Sequence, residues 1–172
     1  MATKRKRVGP CADSFVTCDY TVEQSYQRDC RPKKRREGRG RRNLHGKGAI
    51  RTAQIADKLR PFGIDYVDAM DRFGDNAELY ERLALKYLDD GHLVALQAAM
   101  EAKDYSEGYS QAHALKGVAG NLSFKDLYEC AALVSDALYA GEYEAAAKHL
   151  PEVERAHKLV IEGLEDWRDG TL

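Results

Sequence analysis

Residues 112–122 read AHALKGVAGNL, and this stretch has the spacing of a helix with two unlike faces. At about 100° per residue, one face carries an apolar stripe suited to a protein core. That stripe consists of Ala112, Leu115, Ala119 and Leu122. The opposite stripe consists of His113, Lys116, Gly117 and Gly120. Because a glycine inside an exposed helix costs about 1 kcal/mol relative to alanine, two glycines beside a histidine favour the close approach of a bulky group to the imidazole.

Helical spacing continues on the N-terminal side of this stretch. Asp104 and Glu107 have the spacing of a capping box, which predicts that the histidine-bearing helix starts there. Farther upstream, Asn76 is a suitable N-cap for a helical segment that continues to about Lys103, with a break or kink at residues 89–91. A short helix is predicted before it, over residues 64–73.

Helical spacing also continues on the C-terminal side. Ser123 and Asp126 repeat the capping-box spacing, so the next helix is predicted to begin just after Leu122 and to end at Gly141. A final helix contains Pro151, which predicts a kink or a restart. No segment alternates like a strand. Four long helices joined by very short loops predict an all-α fold, an antiparallel up-and-down four-helix bundle preceded by one short helix.

Charge is divided unevenly along the chain. Residues 1–50 carry 14 Lys and Arg against 5 Asp and Glu, whereas residues 51–172 carry 13 against 23. Residues 31–42 are rich in Arg and Gly, a composition that cannot bury enough apolar surface to offset chain entropy. We therefore predict a basic, disordered N-terminal extension over residues 1–58 and the helical bundle over residues 59–172. The extension is interpreted as a solvated tail, and nucleic-acid binding through phosphate contacts is the alternative.

Several classes of protein are excluded by what the sequence lacks. No apolar run of about 18 residues is present, and no apolar segment follows the basic N-terminus, so we expect neither a membrane span nor a secretory signal but a cytoplasmic protein. The four cysteines have no Cys-x-x-Cys spacing, so no disulfide framework or zinc site is expected. His45, His92, His149 and His157 have no partners at metal-ligand spacing and are interpreted as structural or solvated. No Gly-rich nucleotide loop is found, and no kinase activity is expected.

The pair His113 and Lys116 has the chemistry of a phosphoryl acceptor. A neutral, exposed imidazole is a competent nucleophile, and an ammonium one helical turn away would favour the negative charge of a bound phosphoryl group. Gly117 and Gly120 would leave room for a docking partner. The alternative is a surface histidine beside a lysine, with the glycines packed against a neighbouring helix.

Residues 113–122 closely resemble the signature of the histidine-containing phosphotransfer (HPt) domains of two-component phosphorelays. Short runs between residues 63 and 80 also resemble the lead-in helices of bacterial HPt domains, and the resemblance covers about residues 60–168. One departure is Ser123, where many members have glycine. Because serine suits the cap of the following helix, we do not expect this departure to affect transfer.

The resemblance implies a role for each residue of the site. The Nε2 atom of His113 would attack the phosphoryl group of a receiver-domain phosphoaspartate, and a second receiver would then take the group. Lys116 would stabilise the phosphate charge, and Gly117, with Gly120 beside it, would lie where the receiver docks. The partners would be receiver domains of response regulators or hybrid histidine kinases. This chain would need no metal or cofactor of its own, since the Mg²⁺ belongs to the receiver.

A second hypothesis comes from a different class of protein. The bundle would be a non-catalytic interaction protein that binds or sequesters a response regulator, with the basic tail as a tether to nucleic acid. The presence of both His113 and Lys116 favours transfer over this alternative.

Overall fold

The computed structural model describes residues 47–171, with side chains from residue 52 onward. This part of the chain is all-α. Its helices are α1 Lys47–Leu59, α2 Tyr66–Phe73, α3 Ala77–Lys86, α4 His92–Ala102, α5 Tyr105–Asn121, α6 Lys125–Tyr139 and α7 Tyr143–Arg168. Two 3-10 turns, Arg60–Phe62 and Tyr87–Asp89, follow α1 and α3. The basic block at residues 31–42, His45 and three of the four cysteines lie outside the described residues.

The helices α4 to α7 form the predicted up-and-down bundle. Consecutive helices pack along one another, and each contributes apolar side chains to a common core. Side chains with less than 2% exposure include Leu96, Leu115, Leu127, Val134, Val153 and Leu164. Burying one such side chain contributes about 1.5–3 kcal/mol, so this shared core holds the four helices together. The predicted fold class is confirmed.

The first and last helices of the bundle are also joined by a polar contact. The Gln97 side chain on α4 donates to Glu154 Oε1 on α7 at 2.7 Å. This bond links the two helices that are most distant in sequence within the bundle.

The break or kink predicted at residues 89–91 is a helix boundary, so residues 76–103 form two helices. The backbone of Asp90 is extended, with φ −74° and ψ 128°, and this ends the 3-10 turn after α3. The Asp90 carboxylate accepts a hydrogen bond from the His92 amide at 3.0 Å, which satisfies one free donor at the start of α4. Helix α3 is thus separate from α4, and it packs beside α7, where Tyr80 and Trp167 have ring centroids 6.0 Å apart.

The predicted boundary at residue 59 places the start of the folded region too late. Helix α1 begins at Lys47, and Ala56 and Leu59 on it are buried. These two residues lie one turn apart, with Ile55 half-buried beside them, so α1 has an apolar side that packs on the core. An unfolded extension through residue 58 is therefore wrong for residues 47–58.

The turn between α5 and α6 also differs from the prediction. Ser123 is buried and has a φ of +59°, and its hydroxyl donates to Asp68 Oδ2 on α2 at 2.8 Å. The N-cap of α6 is Phe124, whose side chain makes no capping bond. The predicted Ser123–Asp126 capping box is wrong because Ser123 lies in the turn with a positive φ, and the helix begins one residue later than a serine cap requires.

Other predicted helix ends agree with the structure or differ only in detail. The Glu107 amide donates to Asp104 Oδ1 at 3.1 Å, which confirms the N-cap of α5. The Leu79 amide donates to Asn76 Oδ1 at 3.1 Å, which confirms the N-cap of α3. Pro151 does not restart a helix, since α7 runs without interruption from Tyr143 to Arg168.

The C-terminal end of α5 is held by the helices that precede the bundle. The buried Tyr80 hydroxyl on α3 donates to the carbonyl of Leu122 at 3.0 Å. Burial raises the pKa of Tyr80 far above its ordinary value, so the hydroxyl stays protonated and able to donate at neutral pH. Together with the Asp104 cap at the N-terminal end, this bond holds both ends of α5, the helix that carries His113.

Candidate functional site

His113 lies near the middle of α5 with its side chain exposed. The apolar stripe of the same helix faces the core, and Ala112, Leu115 and Ala119 are completely buried. Because a helix places residues one position apart about 100° from each other, burial of Ala112 turns the neighbouring His113 toward solvent. The predicted two-faced helix is therefore present, with the histidine on its open side.

Aromatic rings line one side of His113. The Tyr109 ring lies one turn earlier on α5, and its centroid is 5.8 Å from that of the imidazole at an angle of 43°. The Tyr139 ring on α6 lies 5.6 Å from that of Tyr109, and its side chain is 71% exposed. Farther along, Tyr105 and Tyr143 stack in parallel at 3.7 Å.

Lys116 lies one turn after His113, and a carboxylate of the next helix binds it. Its Nζ atom is 3.5 Å from Asp136 Oδ1 on α6, and the two side chains are 26% and 49% exposed. The ammonium charge is thus paired with a carboxylate of this chain. Since the pair is accessible to water, its contribution to folding stability is small, about 0.2–1 kcal/mol.

The two glycines of the exposed stripe have different surroundings. A Cβ atom built on Gly117 would meet nothing within 4 Å, so this position opens directly to solvent. A Cβ atom on Gly120 would lie 3.0 Å from Cδ2 of Tyr128 on α6, which is closer than an ordinary contact. Packing against Tyr128 thus explains why position 120 is a glycine, without the predicted docking role. Gly117 keeps the open position that the prediction requires.

Three residues of the site were absent from the sequence-based prediction. Tyr109 lies four residues before His113, a helical spacing that was available as a signal. Asp136 and Tyr139 lie on the neighbouring helix, and no local pattern tells which of its residues align with His113. The register of two packed helices depends on how their side chains interlock, so these two required the three-dimensional structure.

The remaining histidines in the described residues lie away from this site. His92 Nδ1 is 2.7 Å from Asp90 Oδ2, and His149 Nδ1 is 3.6 Å from Glu152 Oε2. His157 is half-buried, with its ring centroid 5.6 Å from that of Tyr87. Between residues 47 and 171, no group of three or more His, Cys, Asp or Glu residues is arranged to hold a metal ion. Cys130 is free.

A helical bundle with an exposed histidine at the centre of one helix is an arrangement suited to accepting a group from a partner protein. Residues 90–167 match the model of the family described as Hpt domain. The matched region comprises α4 to α7, so these four helices correspond to an Hpt domain. The short runs between residues 63 and 80 lie outside the matched region.

Two further comparisons add no relative. Neither the curated proteins nor the solved structures contain a match to this chain. Among the helices of the described residues, none combines the length and the apolar character needed to cross a membrane.

Proposed function

We propose that this protein is a phosphorelay carrier that accepts a phosphoryl group on His113 and passes it on. The donor and the acceptor would both be aspartates of receiver domains, in response regulators or hybrid histidine kinases. Hpt domains function in phosphotransfer within two-component signalling and are phosphocarriers without kinase activity. The proposal assigns that family role to one residue and one class of partner.

The observation that carries the proposal is the setting of His113. Its imidazole is exposed at mid-helix within the matched region, with the open position Gly117 one turn away and Lys116 on the same side. A receiver domain must bring its phosphoaspartate close to the ring, and the side of α5 at Gly117 offers no side chain in its way. The other histidines of the matched region, His92, His149 and His157, are bound to carboxylates or half-buried.

The chemical step is an in-line displacement at phosphorus. The lone pair of His113 Nε2 forms an N–P bond while the P–O bond to the receiver aspartate breaks, and the aspartate leaves as a carboxylate with the electron pair. In the reverse direction a second receiver aspartate attacks phosphorus, and the imidazole leaves. The Mg²⁺ that stabilises the transferring group would be bound by the receiver, so this chain would supply no metal.

Lys116 would act on the product of the first step. A phosphoryl group on the imidazole carries close to two negative charges at neutral pH. An ammonium one helical turn away lowers the energy of that state without taking part in bond formation. We expect the protein to act in the cytoplasm, where receiver domains occur.

Phosphotransfer from a receiver tests the proposal. The full chain is mixed with a panel of receiver domains from the same genome, each carrying a radioactive phosphoryl group, and label on this chain is followed over time. We expect wild type and His149→Gln to become labelled, because His149 is a surface histidine outside the proposed site. The variant His113→Gln should take up no label, and the label on wild type should be lost in acid, as phosphohistidine is.

Two outcomes would contradict transfer through His113. One is label on His113→Gln at the wild-type level. The other is a receiver that binds this chain tightly and equally well with or without His113 while no label moves, which would support the non-catalytic interaction protein instead.

A further inference from the structure

Helix α6 contacts both neighbours of His113, although it carries none of the predicted site residues. Asp136 and Tyr139 lie one turn apart on α6. Asp136 pairs with Lys116, and the Tyr139 ring lies beside that of Tyr109. Lys116 and Tyr109 are the residues one turn after and one turn before His113 on α5. One face of α6 therefore contacts the residues on either side of His113 along α5.

The contact with Asp136 matters for charge. Before phosphorylation, the carboxylate of Asp136 lies 3.5 Å from the Lys116 ammonium and partly neutralises it. A phosphoryl group on His113 would place close to two negative charges one turn away on the same helix. The Lys116 ammonium would then be shared between the phosphoryl oxygens and Asp136, and the carboxylate would reduce the positive charge available to the phosphoryl group.

We propose that Asp136 is a positioning residue that competes with the phosphoryl group for Lys116 and thereby limits the stability of phosphorylated His113. The inference rests on the proposed function, since it concerns the same histidine. A carrier must release its phosphoryl group as readily as it accepts it, and a competing carboxylate keeps the phosphorylated state from becoming a trap. Asp136 itself never contacts the reacting atoms.

The test uses a small phosphoryl donor, so that no receiver is required. Potassium phosphoramidate transfers its phosphoryl group to a histidine and releases ammonia: the N–P bond of the donor breaks as the new N–P bond forms. With fixed phosphoramidate and ammonium concentrations, the ratio of phosphorylated to free His113 at the plateau is measured by ³¹P NMR and intact mass. The chain carries other surface histidines, so the His113→Gln variant identifies the His113 signal.

We expect Asp136→Asn to raise this ratio about two- to fivefold at low salt, the range that follows from the strength of a half-exposed ion pair. The matched control is Glu129→Gln, which removes an exposed carboxylate from the same helix two turns away from Asp136. It should leave the ratio within error of wild type.

The Lys116→Ala variant distinguishes two effects of Asp136: competition for Lys116, and direct repulsion between its carboxylate and the phosphoryl group. In the Lys116→Ala background, Asp136→Asn should change the ratio no more than Glu129→Gln does, because there is no ammonium to release. An unchanged two- to fivefold effect in that background would overturn the proposal, as would a ratio in Asp136→Asn equal to wild type.

The two proposals fail in different ways. If receivers label His113 but Asp136→Asn behaves like wild type, the competition by Asp136 is refuted and the carrier function stands. If Asp136→Asn shifts the phosphoramidate ratio through Lys116 but no receiver transfers label, the competition stands and the carrier function is refuted.

Discussion

At the scale of single residues, the two glycines of α5 offer a direct comparison. Both lie in a helix, where alanine is favoured by about 1 kcal/mol. We expect Gly117→Ala to raise the free energy of unfolding by about 0.5–1 kcal/mol, because its Cβ meets no atom within 4 Å. Gly120→Ala should gain less or lose stability, because its Cβ would lie 3.0 Å from the Tyr128 ring. Urea unfolding of the two variants measures the difference, and equal gains would contradict the packing role of Gly120.

His157 makes the stability of the bundle depend on pH. Its Nε2 atom is buried without a hydrogen-bond partner among the described residues, and burial lowers the pKa of His157 while Asp90 opposes the shift weakly. The unfolded chain, with an ordinary pKa of about 6.5, therefore binds the proton more readily than the folded chain. Stability from this residue is complete above that pH and is lost as the pH falls below it.

The expected result is a fall in the urea midpoint of wild type between pH 7.5 and pH 5.5 that His157→Gln reduces. His149→Gln is the control, since it removes a more exposed histidine from the same helix. If the pH dependence of His157→Gln equals that of wild type, another group is responsible.

At the scale of elements, the turn between α5 and α6 joins the bundle to α2. Burial alone would raise the pKa of Asp68, but the Arg72 guanidinium and the Ser123 hydroxyl lower it below its ordinary value. The carboxylate is thus charged at neutral pH and accepts the serine hydroxyl at 2.8 Å. The bond between Ser123 and Asp68 explains how a non-glycine residue persists there at φ +59°.

Two substitutions at this turn separate the bond from the backbone strain. Ser123→Ala should lower the free energy of unfolding by about 1–3 kcal/mol, since it removes a hydrogen bond to a charged group and keeps the positive φ. Ser123→Gly also loses the bond but adopts positive φ without strain, so it should cost less than Ser123→Ala. Urea unfolding provides the comparison, and a glycine variant less stable than the alanine variant would contradict this explanation.

The elements also show how far the sequence was sufficient. The two-faced helix α5, its Asp104 cap and the order of the bundle helices follow from spacing alone, because each depends on residues near one another in sequence. The predicted Ser123 cap is wrong because a bond to a distant carboxylate on α2 holds the serine within the turn, and the N-cap is the following residue, Phe124. Asp136 was not predicted as part of the site, because its position beside Lys116 depends on the register of α5 against α6.

At the scale of the whole molecule, α1 is the part of the described chain that the sequence pattern assigned to the wrong region. The amphipathic segment of α1 is short and directly follows a strongly basic stretch. The basic composition therefore led to its assignment to the extension. Residues before 47 lie outside the described part of the chain, and the predictions for the basic extension remain predictions. The buried Ala56 and Leu59 belong to the same core as the bundle.

Truncation at two points tests the contribution of α1. A chain that begins at residue 47 keeps α1, whereas a chain that begins at residue 59 loses the buried Ala56 and the half-buried Ile55. We expect the free energy of unfolding of the shorter chain to be lower by about 1–3 kcal/mol. The core surface that α1 covers becomes exposed, and its apolar area is similar to that of one large side chain. Thermal unfolding of both chains measures this, and equal midpoints would mean that α1 contributes nothing to the core.

The fixation of α5 at both ends has a consequence for the encounter with a partner. Asp104 caps the first turn of α5, and the Tyr80 hydroxyl binds the Leu122 carbonyl just after its last turn. His113 therefore lies midway along a helix that is held at both ends. The backbone of such a helix loses little conformational entropy when another molecule binds to it. Under the proposed function, alignment of the reacting atoms would then depend on how the receiver domain docks, because the backbone that carries His113 needs no reordering.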